Sequence, residues 1–318
     1  MPKGISTAEK ARGRWRDILL RLGVAEHVLN GREQACPACG GKDRFVFDDR
    51  KHNGDYFCRG CGAGDGFALL MKTKGWDFPT AAGRVDELVG NSPAPATMPR
   101  IRPKIDTERL MRELAAQSRA AEPGDPVTLY LASRGIRHVP PCIRFVPRLK
   151  YNAEPPTYHP GMVALFRGPD GKACTFHRTY LTLDGRKADV PSPKRLMAGA
   201  VAKGGAIRLF PPAEVLGIAE GIETALSAAE LHGIPCWSAI SENILRDWLP
   251  PAGTKRVVIF GDNDANFVGH AASYDLARRL SLSDKFDVEV QVRLPPIANC
   301  DWNDILMAAI ARRQAREA

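Results

Sequence analysis

The segments VLGIAE (215–220) and RVVIFGDND (256–264) decide the fold, since each is a short apolar run that ends in acidic residues. Around them, further helical and strand-like patterns alternate along the chain: ETALSAAELHG (223–233), IPCWSAI (234–240), ILRDWL (244–249), HAASYDLARRLSL (270–282), DVEVQVRL (287–294) and NDILMAAIARR (303–313). Short apolar strands that alternate with helices predict a parallel sheet covered on both faces. An α/β domain is therefore expected over residues 214–318.

The acidic residues of this domain stand where its predicted strands end. Glu220 ends the first strand, Asp262 and Asp264 follow the strand before them, and Asp301 and Asp304 follow the last strand. The carboxyl ends of parallel strands form the edge where open α/β sheets bind ligands. Clustered carboxylates repel one another, and a hard cation such as Mg²⁺ relieves that repulsion. Each motif taken singly is also explained as a turn or a helix cap, both of which favour Asp.

Four of the eight cysteines form two close pairs, Cys36-Pro-Ala-Cys39 and Cys58-Arg-Gly-Cys61, with eighteen residues between the pairs. This spacing predicts one tetrahedral zinc site with four thiolate ligands. Because all four ligands come from the protein, the zinc would be structural. The chain shows no secretory signal and no long apolar run, which favours a cytoplasmic protein without membrane association.

The segments FVFDD (45–49) and YFC (56–58) lie between the cysteine pairs and predict a hairpin, and hence a zinc ribbon. Basic and aromatic residues are interleaved here: Lys42, Arg44, Arg50, Lys51, Arg59, Phe45, Phe47, Tyr56 and Phe57. Cations for phosphates and aromatic rings for stacking suit single-stranded DNA. The alternative is that the rings form the small core of the ribbon, which is the interpretation we favour for Phe45 and Phe57.

Composition shifts divide the chain into four parts. Residues 1–90 hold a helix and the ribbon, residues 91–104 (NSPAPATMPRIRPK) predict a linker with four prolines, residues 105–213 precede the sheet, and residues 214–318 form it. The net charge is +9, but residues 134–208 carry 14 basic and 4 acidic side chains. This basic segment is either a solvated surface or a phosphate-binding surface beside a carboxylate metal site.

Two stretches carry a family resemblance. CPACGGKDRFVFDD (36–49) with YFCRGCGAGDGFALL (56–70) closely resembles the zinc ribbon of primases from phages, satellite phages and conjugative plasmids. AEGIETALSA (219–228) resembles the Toprim domain shared by bacterial-type primases, topoisomerases and some nucleases. The whole chain thus resembles a DNA primase with a zinc ribbon and a Toprim domain, without the helicase part.

The resemblance implies an arrangement of site residues. Glu220, Asp262 and Asp264 would bind one or two catalytic Mg²⁺ ions, with Mn²⁺ as an alternative. Asp301 and Asp304 would form an outer acidic pair, spaced Asp-x-x-Asp where cellular primases have Asp-x-Asp, so which of the two binds metal stays open.

A basic segment before the Toprim core contacts nucleotides and the primer–template in this family, which implies that role for Arg178, Lys194 and Arg195. On an alternating strand His177 faces away from Arg178, and we interpret it as structural. Glu223 is interpreted as a first-turn helix residue favoured by the helix dipole.

The expected function is synthesis of short RNA primers from ribonucleoside triphosphates on single-stranded DNA, by metal-dependent nucleotidyl transfer, in a phage, prophage or plasmid. The motif G-x-x-x-x-G-K-[ST] is absent from the sequence, so a separate helicase is the expected partner. One alternative is a non-catalytic recombination mediator, a class that combines a four-cysteine zinc site with a Toprim core. A Toprim nuclease or topoisomerase is the other alternative.

Overall fold

The computed structural model describes residues 6–90, 106–152 and 155–317. The chain divides into two compact units, Met1–Pro103 and Lys104–Ala318. The linker predicted at 91–104 lies outside the described residues. Among the helices of the described ranges, none has the length and apolar character needed to cross a bilayer.

The first unit is a small antiparallel sheet with helices before and after it. Its strands, in the spatial order β1-β2-β3-β4, are β1 (Gln34–Cys36), β2 (Gly40–Phe47), β3 (Tyr56–Cys58) and β4 (Gly62–Gly64). Its helices are α1 (Thr7–Ala11), α2 (Trp15–Arg21), a 3-10 turn (Glu26–Leu29), α3 (Gly66–Lys74) and α4 (Phe78–Val89). The Asp65 carboxylate caps the start of α3, and Gly75 ends that helix with a left-handed backbone.

The core of the first unit is built around Trp15, which is 1% exposed. Its ring meets Phe67 edge to face, with centroids 4.7 Å apart. Only glycine fits at position 66, because a Cβ there would lie 2.1 Å from the Trp15 ring. The zinc ribbon is therefore supported by helices on both sides of it in the sequence.

The second unit carries the remaining elements. Its helices are α5 (Thr107–Gln117), α6 (Pro126–Ser133), α7 (Ile222–His232), α8 (Glu242–Asp247), α9 (Val268–Ser281) and α10 (Trp302–Glu317). Its strands are β5 (Arg119–Ala120), β6 (Ile143–Tyr151), β7 (Thr157–Arg167), β8 (Ala173–Tyr180), β9 (Lys194–Leu196), β10 (Ala206–Ile207), β11 (Val215–Ala219), β12 (Cys236–Ser238), β13 (Arg256–Phe260) and β14 (Glu289–Arg293).

These strands form one mixed sheet in the order β14-β13-β11-β12-β10-β7-β6-β5, with β8 paired to β7 and β9 paired to β8. The four strands β14, β13, β11 and β12 are parallel, as predicted. β7 and β8 form an antiparallel hairpin. The two-residue strand β10 pairs with both β12 and β7. It thereby joins the strands of residues 105–213 and the strands of residues 214–318 into one sheet.

Helices cover both faces of the parallel strands. Along β13, Val258 and Phe260 face a core shared with α7 and α10, while Val257 and Ile259 face a core shared with α9. This alternation follows from the two-residue period of a strand. All four side chains are fully buried, which explains why the segment is apolar throughout. The predicted α/β class with an N-terminal zinc ribbon is confirmed.

Candidate functional site

The four paired cysteines come together in the first unit. Their sulfur atoms all lie within 4.8 Å of one another, with Cys36 Sγ 3.5 Å from Cys61 Sγ and Cys39 Sγ 3.6 Å from Cys58 Sγ. A tetrahedron with Zn–S bonds of about 2.3 Å needs spacings of this order. The backbone N–H groups of Ala38 and Gly60 donate hydrogen bonds to Cys36 Sγ and Cys58 Sγ. The four cysteines form a zinc-binding site, as predicted.

The aromatic residues of the ribbon divide between its core and its surface. Phe45, Phe47 and Tyr56 are buried, so the core interpretation is confirmed for Phe45. Phe57 is 53% exposed, and the core interpretation was wrong for this residue. The reason is the strand alternation of β3: its neighbours Tyr56 and Cys58 face inward, and Phe57 therefore faces outward.

The second unit holds a polar cavity of about 190 Å³ at the carboxyl ends of its parallel strands. The residues lining it include four carboxylates together with three cations: Arg134, Lys187, Lys194, Glu220, Gly221, Glu223, Thr224, Asp262, Asp301 and Asn303. Glu220 and Asp262 are neighbours because β11 and β13 pair in parallel, with Ala219 opposite Phe260. The predicted meeting of these two side chains at one sheet edge is therefore observed.

The structure separates the two residues of the outer acidic pair. Asp301 lines the cavity, and its Oδ1 accepts hydrogen bonds from the backbone N–H groups of Asn303 (2.7 Å) and Asp304 (2.9 Å). Asp304 is exposed, does not line the cavity, and accepts the backbone N–H of Asp301 (3.0 Å). Together they cap α10 reciprocally. Asp301 is thus the member of the pair that faces Glu220 and Asp262.

Two carboxylates of the cavity, Glu220 and Asp262, have pKa values above their ordinary range. Burial raises the pKa of Glu220 to about 8, and the charges of Glu242, Asp262 and Asp264 add to that rise. Burial also raises the pKa of Asp262 to about 7, with contributions from Asp301 and Asp264. Asp264 does not line the cavity but contributes to its field in both cases.

Asp262 Oδ1 is buried without a hydrogen-bond partner among the described residues. Carboxylates supply the hard oxygen ligands that Mg²⁺ prefers. A divalent cation would relieve their mutual repulsion and give the buried Asp262 oxygen a partner, so these residues fit a magnesium site.

Lys194 is the member of the predicted basic trio that lies at the cavity. It pairs with Thr179 across β8 and β9, whereas Arg178 pairs with Arg195 on the opposite face of these strands. The Arg195 guanidinium stacks 4.4 Å from the centroid of the Tyr151 ring, away from the carboxylates. The structure therefore does not bring Arg178, Lys194 and Arg195 together.

Sequence reasoning missed two cations of the cavity, Arg134 and Lys187. Arg134 Nη1 donates a hydrogen bond to Asn303 Oδ1 (3.2 Å), and Asn303 is 1% exposed. Burial lowers the pKa of Lys187, and the nearby charge of Lys194 lowers it further. Both belong to the basic segment 134–208, but the excess of charge there does not distinguish them from the other basic residues of that segment.

His177 lies on the cavity-side face of β8, opposite in direction to Arg178, as the strand alternation predicted. Burial lowers its pKa to about 4, and the charge of Lys194 acts in the same direction. The imidazole is therefore neutral near pH 7. Glu223 lies in the first turn of α7, as expected. It is also buried at the cavity wall and paired with Lys194, a partner that no local pattern indicates.

Fold and site together define a class of protein: a four-cysteine zinc ribbon combined with an α/β unit that holds a carboxylate cluster at its sheet edge. Family comparisons agree with this description. Residues 31–67 match the family described as "Zinc-binding domain of primase-helicase", residues 215–311 match "Toprim domain", and residues 106–209 match "Domain of unknown function (DUF7146)". The resemblance seen in the sequence is confirmed: the chain combines a zinc-binding domain of primase type with a Toprim domain.

Solved structures similar to this chain include primase fragments at low identity. The primase fragment of the bacteriophage T7 primase-helicase is 14% identical, with 90% of this chain and 98% of that chain covered and a TM-score of 0.39. The zinc-binding and RNA polymerase domains of the Aquifex aeolicus primase are 14% identical, covering 98% and 84%, with a TM-score of 0.41. A primase domain from Pseudomonas aeruginosa is 15% identical, covering 53% and 55%, with a TM-score of 0.35.

Proposed function

We propose that this protein is a DNA primase that joins ribonucleoside triphosphates into short RNA primers on single-stranded DNA. The observation that carries the proposal is the cavity in which Glu220, Asp262 and Asp301 face Lys194, Lys187 and Arg134. Nucleotidyl transfer needs both charges at one place, because carboxylates bind the cations that a triphosphate requires and basic side chains bind the phosphates.

Glu220, Asp262 and Asp301 are the residues that would hold Mg²⁺ or Mn²⁺, with Asp264 adding negative charge beside them. When bound, one or two such ions activate the attacking 3′-hydroxyl and stabilise the leaving pyrophosphate. The side chains themselves supply fixed oxygen ligands on a rigid sheet edge. Asp301 is held by its two backbone hydrogen bonds in α10, so its free oxygen has a defined direction.

Lys194, Lys187 and Arg134 are the residues that we assign to the triphosphate. They line the cavity and would neutralise phosphate charge in a partly dehydrated site. Asn303 fixes Arg134 from two sides, since its Nδ2 also donates to the Arg134 carbonyl (2.7 Å). Arg178 and Arg195 lie on the opposite face of β8 and β9, and we assign them to the backbone of the primer–template there.

The zinc ribbon is proposed to bind the DNA template, with Phe57 as an exposed ring for base stacking. A cytoplasmic setting, a phage, prophage or plasmid replicon, and a separate helicase that opens the duplex complete the proposal.

A change of Phe57 to Ala should weaken binding of single-stranded DNA by about 1–3 kcal/mol, the usual contribution of one stacked base. The protein should keep its stability, since the ring is already 53% exposed. Phe78→Ala is the matched control, because Phe78 is 55% exposed in the same unit but lies in α4. Fluorescence anisotropy with a labelled oligonucleotide checks the prediction, and equal affinities of the two variants would remove Phe57 from the template surface.

The proposed function is tested by incorporation of α-labelled ribonucleotides on a single-stranded template of mixed sequence. Label should enter RNA only when template, divalent metal and protein are all present. A protein that binds the template and incorporates no label under any metal would be a non-catalytic DNA-binding factor instead.

A further inference from the structure

We infer that Glu223 is a positioning residue, whose buried carboxylate holds the Lys194 ammonium at the wall of the cavity where it meets the nucleotide phosphates. The inference rests on the proposed function, and it assigns Glu223 a role distinct from that of the metal-binding carboxylates. Tyr130 helps to hold the Glu223 carboxylate in this position.

The contacts are direct and use both oxygens of Glu223. Lys194 Nζ donates to Glu223 Oε2 at 2.8 Å, and the Tyr130 hydroxyl donates to Glu223 Oε1 at 2.6 Å. The three residues come from β9, α7 and α6, so these contacts join three elements that are distant in the sequence. A carboxylate held by two donors in different directions has one orientation.

Burial is distributed unequally over the ion pair. The Glu223 side chain is 8% exposed, whereas the Lys194 side chain is 37% exposed and reaches the cavity. Glu223 is thus the fixed partner, and Lys194 keeps room to donate further hydrogen bonds to a ligand. A lysine ammonium has three donors, so binding to Glu223 leaves two of them available.

The pKa values of the cavity carboxylates are shifted in opposite directions. Burial and neighbouring negative charges raise the pKa of Glu220 and of Asp262. Burial acts in the same direction on Glu223, but Lys194 and the Tyr130 hydroxyl overcome it and hold the pKa of Glu223 well below its usual range. Glu223 is therefore already satisfied by protein donors, whereas Asp262 Oδ1 has none among the described residues.

Two consequences follow for nucleotide binding. A free lysine side chain loses rotational entropy when it binds a phosphate, and an anchored one has lost part of it beforehand. Tyr130 also keeps Glu223 turned to Lys194, so that its charge does not enter the space where phosphates bind. The pair therefore lowers the KM for nucleotides and has less influence on the chemical step.

The test uses the full chain with Glu223→Gln, which keeps the shape and removes the charge. We expect the KM for ribonucleoside triphosphates and the Kd for ATP to rise about tenfold, with kcat reduced less than threefold. The Mg²⁺ concentration for half-maximal activity should stay unchanged, since Glu223 does not hold the metal. The matched control is Glu230→Gln in the same helix, whose carboxylate binds Arg137 outside the cavity.

A double variant shows whether Glu223 acts through Lys194. In a Lys194→Met background, Glu223→Gln should add no further rise in KM, because the residue that it positions is gone. Additive effects would overturn the inference, and so would an increased Mg²⁺ requirement with unchanged KM. Tyr130→Phe is the second variant if Glu223→Gln does not fold: it keeps the ion pair and should raise KM about two- to threefold through one lost hydrogen bond.

Equilibrium dialysis of ATP against the wild type and each variant separates this inference from the proposed function. A wild type that makes no RNA would contradict the proposed function, while the ATP affinities would still report on the lysine. An active wild type with unchanged KM and Kd in folded Glu223→Gln, or in Tyr130→Phe where Glu223→Gln does not fold, would contradict the inference alone.

Discussion

Asp262→Asn is expected to reduce RNA synthesis about a hundred- to a thousandfold, a loss typical of removing a group that stabilises transition-state charge. Asp262 stands at the centre of the carboxylate cluster and carries a buried oxygen without a partner among the described residues. An amide has the same shape but no negative charge, so it binds a hard cation poorly. The measurement is the initial rate of labelled ribonucleotide incorporation over a range of Mg²⁺ concentrations.

The same substitution should leave the metal-free protein folded and stabilise it at alkaline pH. The pKa of Asp262 is raised to about 7, above its value in an unfolded chain, so the charged form destabilises the fold. Metal-free wild type should lose this part of its stability as pH rises from about 4 to about 7, and Asn avoids the loss because it does not ionise. Thermal unfolding in EDTA at pH 8 checks the sign.

Asp304→Asn is the control for Asp262→Asn. Asp304 is exposed outside the cavity, and an Asn side chain can still accept the backbone N–H of Asp301. Its activity should stay within a few-fold of wild type. Synthesis by Asp262→Asn at more than a tenth of the wild-type rate, in folded protein, would exclude Asp262 as a metal ligand.

Cys58→Ser should lose the zinc ion and unfold the ribbon, because metal binding supplies about 10–16 kcal/mol to zinc-finger modules of this size. Cys58 is buried at the end of β3, with 1% of its surface exposed. In the variant, the three remaining thiolates and a serine hydroxyl, which is a weak ligand, would have to bind the metal. The second unit should stay folded, since its core clusters contain residues from that unit alone. Zinc content by atomic absorption, together with circular dichroism, measures both effects.

Cys174→Ser provides the comparison for Cys58→Ser, as Cys174 lies in β8 and outside the four-cysteine cluster. It should retain one zinc per chain. One zinc retained after loss of Cys58, with the ribbon folded, would show that the four-thiolate assignment is wrong. Loss of the ribbon should also impair primer initiation more than extension of a pre-annealed RNA primer, because template recognition is lost and the carboxylate cluster is not.

The parts of the structure that the sequence predicts well are those with a local signal. The spacing of Cys36, Cys39, Cys58 and Cys61 identifies the zinc site because the two-residue turns fix the geometry of each pair. The parallel strands are recognisable because burial on both faces demands continuous apolar runs. Acidic residues placed directly after such runs, as Asp262 is after β13, meet at the sheet edge by the rule of parallel pairing.

The parts that the sequence does not predict depend on contacts between distant segments. Alternation along β8 shows that His177 and Arg178 face opposite ways, but only the packing of α7 shows which face meets the carboxylates. Tyr130 is separated from Glu223 by 93 residues, and nothing local marks the two as partners. β10 is two residues long, too short for any periodic pattern, although it joins the parallel and antiparallel strands into one sheet.

Retention of γ-labelled phosphate in newly made RNA is the most direct test of the claim that this protein starts chains. Each nucleotide addition releases the β- and γ-phosphates as pyrophosphate, so the γ label survives only at the 5′ end of a chain begun without a primer. The wild type, given single-stranded DNA, Mg²⁺ and γ-labelled ribonucleoside triphosphates, should yield short, alkali-sensitive products that carry the label. Products that contain α label and no γ label would show extension of pre-existing ends, and would contradict the account.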